Sequence, residues 1–201
     1  IFLGLSLGSN VVIAQFIGAR QPERVGAAVQ TSFILALFTG LGIAVLGEIM
    51  TGPIIDWLEV PSEVKAMAEI YLRIYLLGIP VMGIYNFEAA ILRARGDTKT
   101  PLIALAVASI ANIVFNVLFV SWGFGVAGVA VATDLANIIS AGILFWTLTH
   151  TDDILRLRLD KWHLQVALLS KVVKIGLPAG IQGMVFSLSN ILIQAAINSL
   201  G

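Results

Sequence analysis

An all-α fold, a polytopic membrane bundle of about six transmembrane helices, is what this sequence predicts, and three observations predict it. Hydrophobic residues fill 58% of the 201 positions and charged residues only 12%, about half the ~25% charge of a soluble domain. The apolar residues gather into six long stretches, none of which alternates polar with apolar as a barrel strand would. The basic residues cluster in every second connection between those stretches. A mean hydropathy of +0.96 excludes disorder, which needs a polar, highly charged chain. Zero net charge leaves no basic field for nucleic acid, and the lack of cysteine removes disulfides and thiolate metal sites.

A bilayer core about 30 Å thick asks for roughly 20 apolar residues in a helix. The stretches that meet or approach this are Ile1–Ile17, Gly26–Gly47, Ile70–Leu92, Pro101–Ser121, Val126–Leu148 and Ile175–Leu200. The first is already apolar at its opening residue, with no basic segment of the signal-peptide kind, and the last runs to the terminal glycine. The chain is therefore expected to be a piece of a longer protein. Three connections hold ten of the twelve basic residues: Arg20 and Arg24, then Arg93, Arg95 and Lys99, then Arg156, Arg158, Lys161, Lys171 and Lys174. The other connections carry Glu48, Asp56, Glu59, Glu63 and Glu69 with Lys65, and Arg73 lies just inside the following span. The positive-inside bias places the basic connections in the cytoplasm of a cell-membrane (inner-membrane) protein. The first span then runs outside to inside, and an odd number of spans, one at the simplest, is expected before it.

Thr149–Lys174 is the longest connection and differs in kind. Asp152, Asp153, Arg156, Arg158, Asp160 and Lys161 are mixed with Leu155, Leu157, Leu159, Trp162 and Leu164. An amphipathic segment on the membrane face fits, with Trp162 at headgroup depth, and so does a plain connector between two lobes. The organisation expected is a helical lobe over 1–148, a connector over 149–174 and the first helix of a second lobe over 175–201.

Polar groups inside a span cost free energy unless they are paired or face a cavity. Ser109, Asn112 and Asn116 lie three and four residues apart, on one helical face. Their amides can ligate a hard cation or hold a polar ligand, or simply bond between helices. The next stretch adds Thr133, Asp134 and Asn137. Asp134 is a candidate proton carrier or a buried structural group. Glu88, about one turn before Arg93, is expected to snorkel or to pair with Arg93 or Lys99. Pro80 and Pro178 each delete a backbone hydrogen bond and are candidate bends or hinges. Gly4 with Gly8, and Gly176 with Gly180, have the spacing that lets helices approach closely. His150 and His163 have no partner at helical spacing, so no metal site is expected. No Gly-rich loop ends in Lys-Ser or Lys-Thr, so no nucleotide engine is present. Arg95-Gly96-Asp97 reads as a tight turn between helices. No nucleophile–base pair is suggested, and neither an enzyme nor a cofactor is expected.

Three segments together resemble the multidrug and toxic compound extrusion (MATE) family of secondary transporters. Leu92-Arg93-Ala94-Arg95-Gly96-Asp97-Thr98-Lys99-Thr100-Pro101 resembles the family's loop between helices 4 and 5. Asn112-Ile113-Val114-Phe115-Asn116, with Gly123 through Thr133, resembles helix 5, a short turn and helix 6. Gly176-Leu177-Pro178-Ala179 resembles the start of helix 7. The resemblance implies two six-helix lobes around a cavity, of which this chain supplies helices 2 to 7. It implies export of organic cations or other small amphipathic compounds in exchange for Na⁺ or H⁺. In the DinF-like branch a first-lobe site combines an acid on helix 1 with an Asn and an Asp on helix 5 and a Thr on helix 6. Asn112 and Thr133 match that Asn and Thr, while Asn116 stands where that branch often has Asp. The NorM-like branch uses an acid on helix 7 where Phe186 stands here, so the chain leans toward the DinF-like branch.

The expected function is a cation antiporter working by alternating access, with Asn112, Asn116 and Thr133 lining the first-lobe cavity. Glu88 and Asp134 are weaker candidates for the same cavity. Its partners would be a small amphipathic or cationic substrate, the lipid bilayer and the remaining helices of the full-length protein. Two alternatives stay open. One is a flippase of lipid-linked glycans, for which a basic cavity would be required and only Arg73 is offered. The other is a non-transporting fragment.

Overall fold

The computed structural model describes residues 2–58, 60–151, 154–158 and 164–200, with side chains as far as 190 and at 193. Six helices follow one another: α1 Phe2–Gly18, α2 Pro22–Trp57, α3 Ser62–Ala94, α4 Lys99–Ser121, α5 Gly125–His150 and α6 Val166–Leu200. Every helix after the first is long and apolar enough to cross a bilayer, while α1 has 17 residues. No strand occurs among the described residues. In hydrocarbon the helix is the open-ended structure that satisfies its own backbone, which is why apolar length decides the class.

The turns are short because their ends are built for reversal. After α3 the chain turns at Gly96 (φ 89°), with Asp97 N–H donating to Leu92 O at 3.2 Å; after α4 it turns at Gly123 (φ 84°), with Phe124 N–H donating to Phe119 O at 3.0 Å. Both are left-handed helix caps that glycine adopts without strain. Pro22 opens α2, where its missing N–H leaves no bond unmade. Asp97 receives the N–H groups of Lys99 (3.1 Å) and Thr100 (3.0 Å) and the Thr100 hydroxyl (2.7 Å), tying down the start of α4. The Arg-Gly-Asp tripeptide is thus the helix-to-helix turn expected of it.

Charged segments flanking the second and third apolar stretches continue as helix where a longer loop was expected. α2 runs past Glu48 to Trp57 and through Pro53, and α3 starts at Ser62. The charges pair along and between these helix ends: Lys65 with Asp56, and Arg73 with Glu48 (3.1 Å) and Glu69 (2.8 Å). Arg73 therefore belongs to an ion-pair group at this end of the bundle. Both α3 and α6 also run unbroken through Pro80 and Pro178.

α3 is the central helix, packing against α1, α2 and α5, while α4 packs along α5 and only touches α3. One face of α4 packs on nothing in this chain: Leu102, Ile103, Ile110 and Val117 are each at least 60% exposed. α6 joins the bundle through α1 and, more lightly, α2. That seam is a glycine crossing. A Cβ placed on Gly4 would collide with the backbone of Gly180 and Gly176, and one on Gly8 with the Val172 carbonyl and with Gly176. The two four-residue glycine pairs therefore meet each other, backbone against backbone, as small residues do in helix pairs driven by van der Waals contact. In the connector Leu155 and Leu157 are buried, Leu157 N–H donates to Leu148 O (2.8 Å), and Gln165 N–H donates to Thr31 Oγ1 (3.3 Å). The connector is fastened to the bundle there; Trp162 lies outside the described residues.

Two outcomes follow. In the full-length protein Gly8→Val should cost about 1–3 kcal/mol of stability in detergent, because the neighbour it meets is backbone that cannot rotate away. Gly42→Ala, where a Cβ meets nothing within 4 Å, should be neutral or stabilising. Equal Tm losses would contradict the crossing. The hydrogen bonds to Asp97, that from Thr100 N–H first, hold its carboxyl below the usual carboxylate range. Its contribution is then present above the ordinary carboxylate value and lost as pH falls through the depressed one. Asp97→Ala should lower Tm near neutral pH by the equivalent of about 1 kcal/mol, and the gap to wild type should close in acid. A gap independent of pH would contradict this.

Candidate functional site

The helical spacing that puts Ser109 and Asn112 on one face of α4 sets them opposite Thr133, Asn137 and Ser140 on α5. Together with Leu105, Ala108, Ile113 and Ala136 they line a cleft of about 320 Å³. Within this cluster Asn116 Nδ2 donates to Asn112 Oδ1 (3.0 Å), and Asn112 Nδ2 reaches Thr133 Oγ1 (3.5 Å). The Thr133 hydroxyl donates in turn to Val129 O (3.0 Å), which leaves its lone pairs facing Asn112. The donor chain starts at Asn116 and ends at the Val129 carbonyl, and Asn116 Oδ1, buried, accepts no hydrogen bond. Asn112, Asn116 and Thr133 are thus brought together as a half-buried row with acceptor capacity to spare. Such a row suits a cation or a hydrogen-bond donor and has no basic group to hold an anion.

Ser140 was missed in the sequence, although its spacing of seven from Thr133 and three from Asn137 puts it on the same face. Asn10 was missed too: its Nδ2 donates to Ala90 O (2.8 Å), fastening α1 to α3.

The two acids sit elsewhere. Glu88 does not pair with Arg93 or Lys99. It is completely buried in α3, neither carboxyl oxygen has a partner, and Arg93 Nε donates instead to Ala89 O (3.1 Å). The reason is angular: Glu88 lies on the inward face with Phe87 and Ile91, whereas Arg93 is exposed. Asp134 does not line the α4–α5 cleft. It points across to α3, where its carboxyl fills the space beside Gly78, and its Oδ1 has no hydrogen bond. Pro80 packs against α2, its Cα 2.7 Å from where a Cβ of Gly40 would stand. Pro178 lies two residues from the glycine crossing at Gly176 and Gly180. Among the described residues no group of three or more His, Cys, Asp or Glu side chains could hold a metal ion.

Five helices long and apolar enough to cross a bilayer, with a polar cleft between two of them, mark a polytopic membrane protein. The chain belongs to the MatE family, whose model matches residues 1–118. "Probable multidrug resistance protein YpnP" of Bacillus subtilis is 31% identical over 206 residues, covering 99% of this chain and 44% of the relative. "Probable multidrug resistance protein NorM" of Thermotoga maritima is 32% identical over 195 residues, covering 93% of this chain and 41% of the relative. The chain thus spans less than half the length of these relatives. Among solved structures, the outward-facing conformation of a multidrug resistance MATE family transporter of the MOP superfamily aligns at a TM-score of 0.88 and 26% identity, over 96% of this chain and 44% of that one. Its inward-facing counterpart aligns at 0.82 and 28%, over 88% and 41%.

If the two amides act as one unit, a double-mutant cycle on Asn112→Ala and Asn116→Ala should show coupling of roughly 0.6 kcal/mol in stability. Purely additive effects in thermal unfolding of the full-length protein would separate the pair.

Proposed function

We propose that this chain is the first lobe, from its second helix onward, together with the opening helix of the second lobe, of a cation-coupled exporter of small cationic or amphipathic compounds. The observation that carries the reading is the Asn112–Asn116–Thr133 row, a polar surface with an unfilled acceptor inside otherwise apolar spans of a MatE family chain. A bilayer-spanning segment keeps such groups where a cavity or an ion uses them. The names of YpnP and NorM, and the drug-resistance description of the aligned structures, support the substrate class.

In this reading residues 1–148 form the lobe, 149–174 the connector and 175–201 the start of the second lobe. The connections rich in Arg and Lys face the cytoplasm. Na⁺ or H⁺ drives the exchange, and the amide row receives the ion or the substrate together with an acid contributed by the part of the protein before this chain, as in the DinF-like branch. The lobes rock about the connector, with Pro80 and Pro178 as candidate bends.

The test is ethidium or quinacrine transport by the full-length protein in everted vesicles, with Na⁺ and proton gradients imposed one at a time. Wild type should respond to at least one gradient, and Asn112→Leu and Asn116→Leu should each reduce the rate roughly tenfold, a loss of about 1.4 kcal/mol in transition-state or binding free energy. Unchanged transport in both variants would remove the row from the pathway. No response of wild type to either gradient would overturn the antiport reading.

A further inference from the structure

The carboxyl of Asp134 occupies a place that calls for an explanation. It leaves α5 in the opposite sense from the α4–α5 cleft and seats against α3, in the notch made by the absent side chain of Gly78. A Cβ at position 78 would meet the Asp134 carboxyl, the movable end of that side chain, so the glycine leaves the acid room to seat there. The notch is two residues from Pro80, where α3 lacks an N–H for the Leu76 carbonyl and is free to change its bend. On the far side, the Pro80 backbone is pressed against Gly40 of α2. The bending point of α3 is therefore held between α2 and the Asp134 carboxyl.

We propose that Asp134 is a proton-binding positioning residue, seating in the Gly78 notch when it carries a proton and driving α3 and α5 apart at the Pro80 bend when it does not. This deepens the transporter reading by naming, within this chain, an acid and the element it moves.

The electrostatics favour two states. No described cation faces Asp134. On α3, Arg73 is committed to Glu48 and Glu69, Lys65 to Asp56, and the exposed Arg93 to a carbonyl at the basic end. The remaining ionisable groups of α3 are the acids Glu63, Glu69 and Glu88 and the tyrosines, of which Tyr71 and Tyr75 stack on each other and Tyr85 donates to Pro101 O. α4 has no ionisable side chain after Lys99 at its start, and α5 itself adds only His150 at its far end. A neutral carboxyl tolerates such a notch. An ionised one, with one buried oxygen that no donor reaches, is disfavoured there and is relieved by separation of the helices. α4 barely touches α3, whereas α5 packs on both, so it is the α3–α5 contact that must loosen at the notch for the polar cleft to move. Thr133, the neighbour of Asp134 in the chain, then couples the acid to the row it shares with Asn112.

The experiment is a pulsed-EPR distance between spin labels at two exposed positions, Ile70→Cys on α3 and Val126→Cys on α5, in the full-length protein, scanned from about pH 5 to about pH 9. Wild type should show a shift from a shorter to a longer distance as pH rises. Asp134→Asn should hold the shorter distance at every pH, and Gly78→Ala, which crowds the seated carboxyl, should move the midpoint of the shift to lower pH. A shift in Asp134→Asn with the wild-type midpoint, or no shift in wild type, would overturn the proposal. If Gly78→Ala does not fold, Asp134→Asn decides alone. The same samples separate the two readings: gradient-driven transport that keeps its full pH dependence in Asp134→Asn defeats this proposal and leaves the exporter standing, whereas wild type that transports nothing defeats the exporter while the distances still decide the switch.

Discussion

The hydrocarbon interior of a membrane supplies no hydrogen-bond partner, and every feature of this chain answers to that fact. It makes each long apolar stretch a helix and keeps the reversals short and self-capped, with Asp97 bonded to the first turn of α4. It also leaves dispersion between close backbones as the main way to hold helices together, as at the Gly4–Gly8 and Gly176–Gly180 crossing. Where the chain places polar groups in a span they are bonded within the protein, Asn10 to the Ala90 carbonyl and Asn112, Asn116 and Thr133 to one another, with Asn116 Oδ1 left unpartnered.

The same constraint explains how the parts connect. α6 reaches the rest mainly through α1, where the backbones touch at the glycine crossing and Lys171 lies over the Phe16 ring, 5.5 Å from its centroid. Leu155 and Leu157 of the connector, both buried, anchor the chain just before that helix. At the opposite end of the bundle the Arg73 group ties α2 to α3, so the two helices are linked outside the apolar zone as well as inside it. α3 thus has an end tied by ion pairs, Pro80 packed beside Gly40 of α2, and the acid of a neighbouring helix beside Gly78.

Much of this was legible in the residues. Apolar length gave the six helices, and spacing put Ser109, Asn112 and Asn116 on one face, while Thr133, on another helix, was joined to them only through the family resemblance. The charged outer segments were misjudged as loop: hydropathy reports where lipid ends, whereas the helix continues as long as its backbone bonds and ion pairs such as Lys65–Asp56 sustain it. The two acids were harder. In a span apolar on all sides, periodicity says little about which face is buried and nothing about which helix covers it. Glu88 lay one turn from Arg93 in sequence yet faced the interior, and Asp134, adjacent to Thr133, turned toward another helix. The notch that receives it is a single glycine, Gly78, whose meaning appears only when the neighbouring helix is in place.

The central claim is that the α4–α5 row faces a water-accessible cavity and not lipid. The chain has no cysteine of its own, so single cysteines can be read against a silent background once any elsewhere in the full-length protein are replaced. A membrane-impermeant maleimide, applied from each side to Asn112→Cys, Asn137→Cys, Ile110→Cys and Val117→Cys, makes the most direct measurement. Labelling at 112 and 137 that a transported cation slows, with 110 and 117 unreactive, is the expected result. Equal reactivity at all four positions, or none at 112 and 137 from either side, would contradict it.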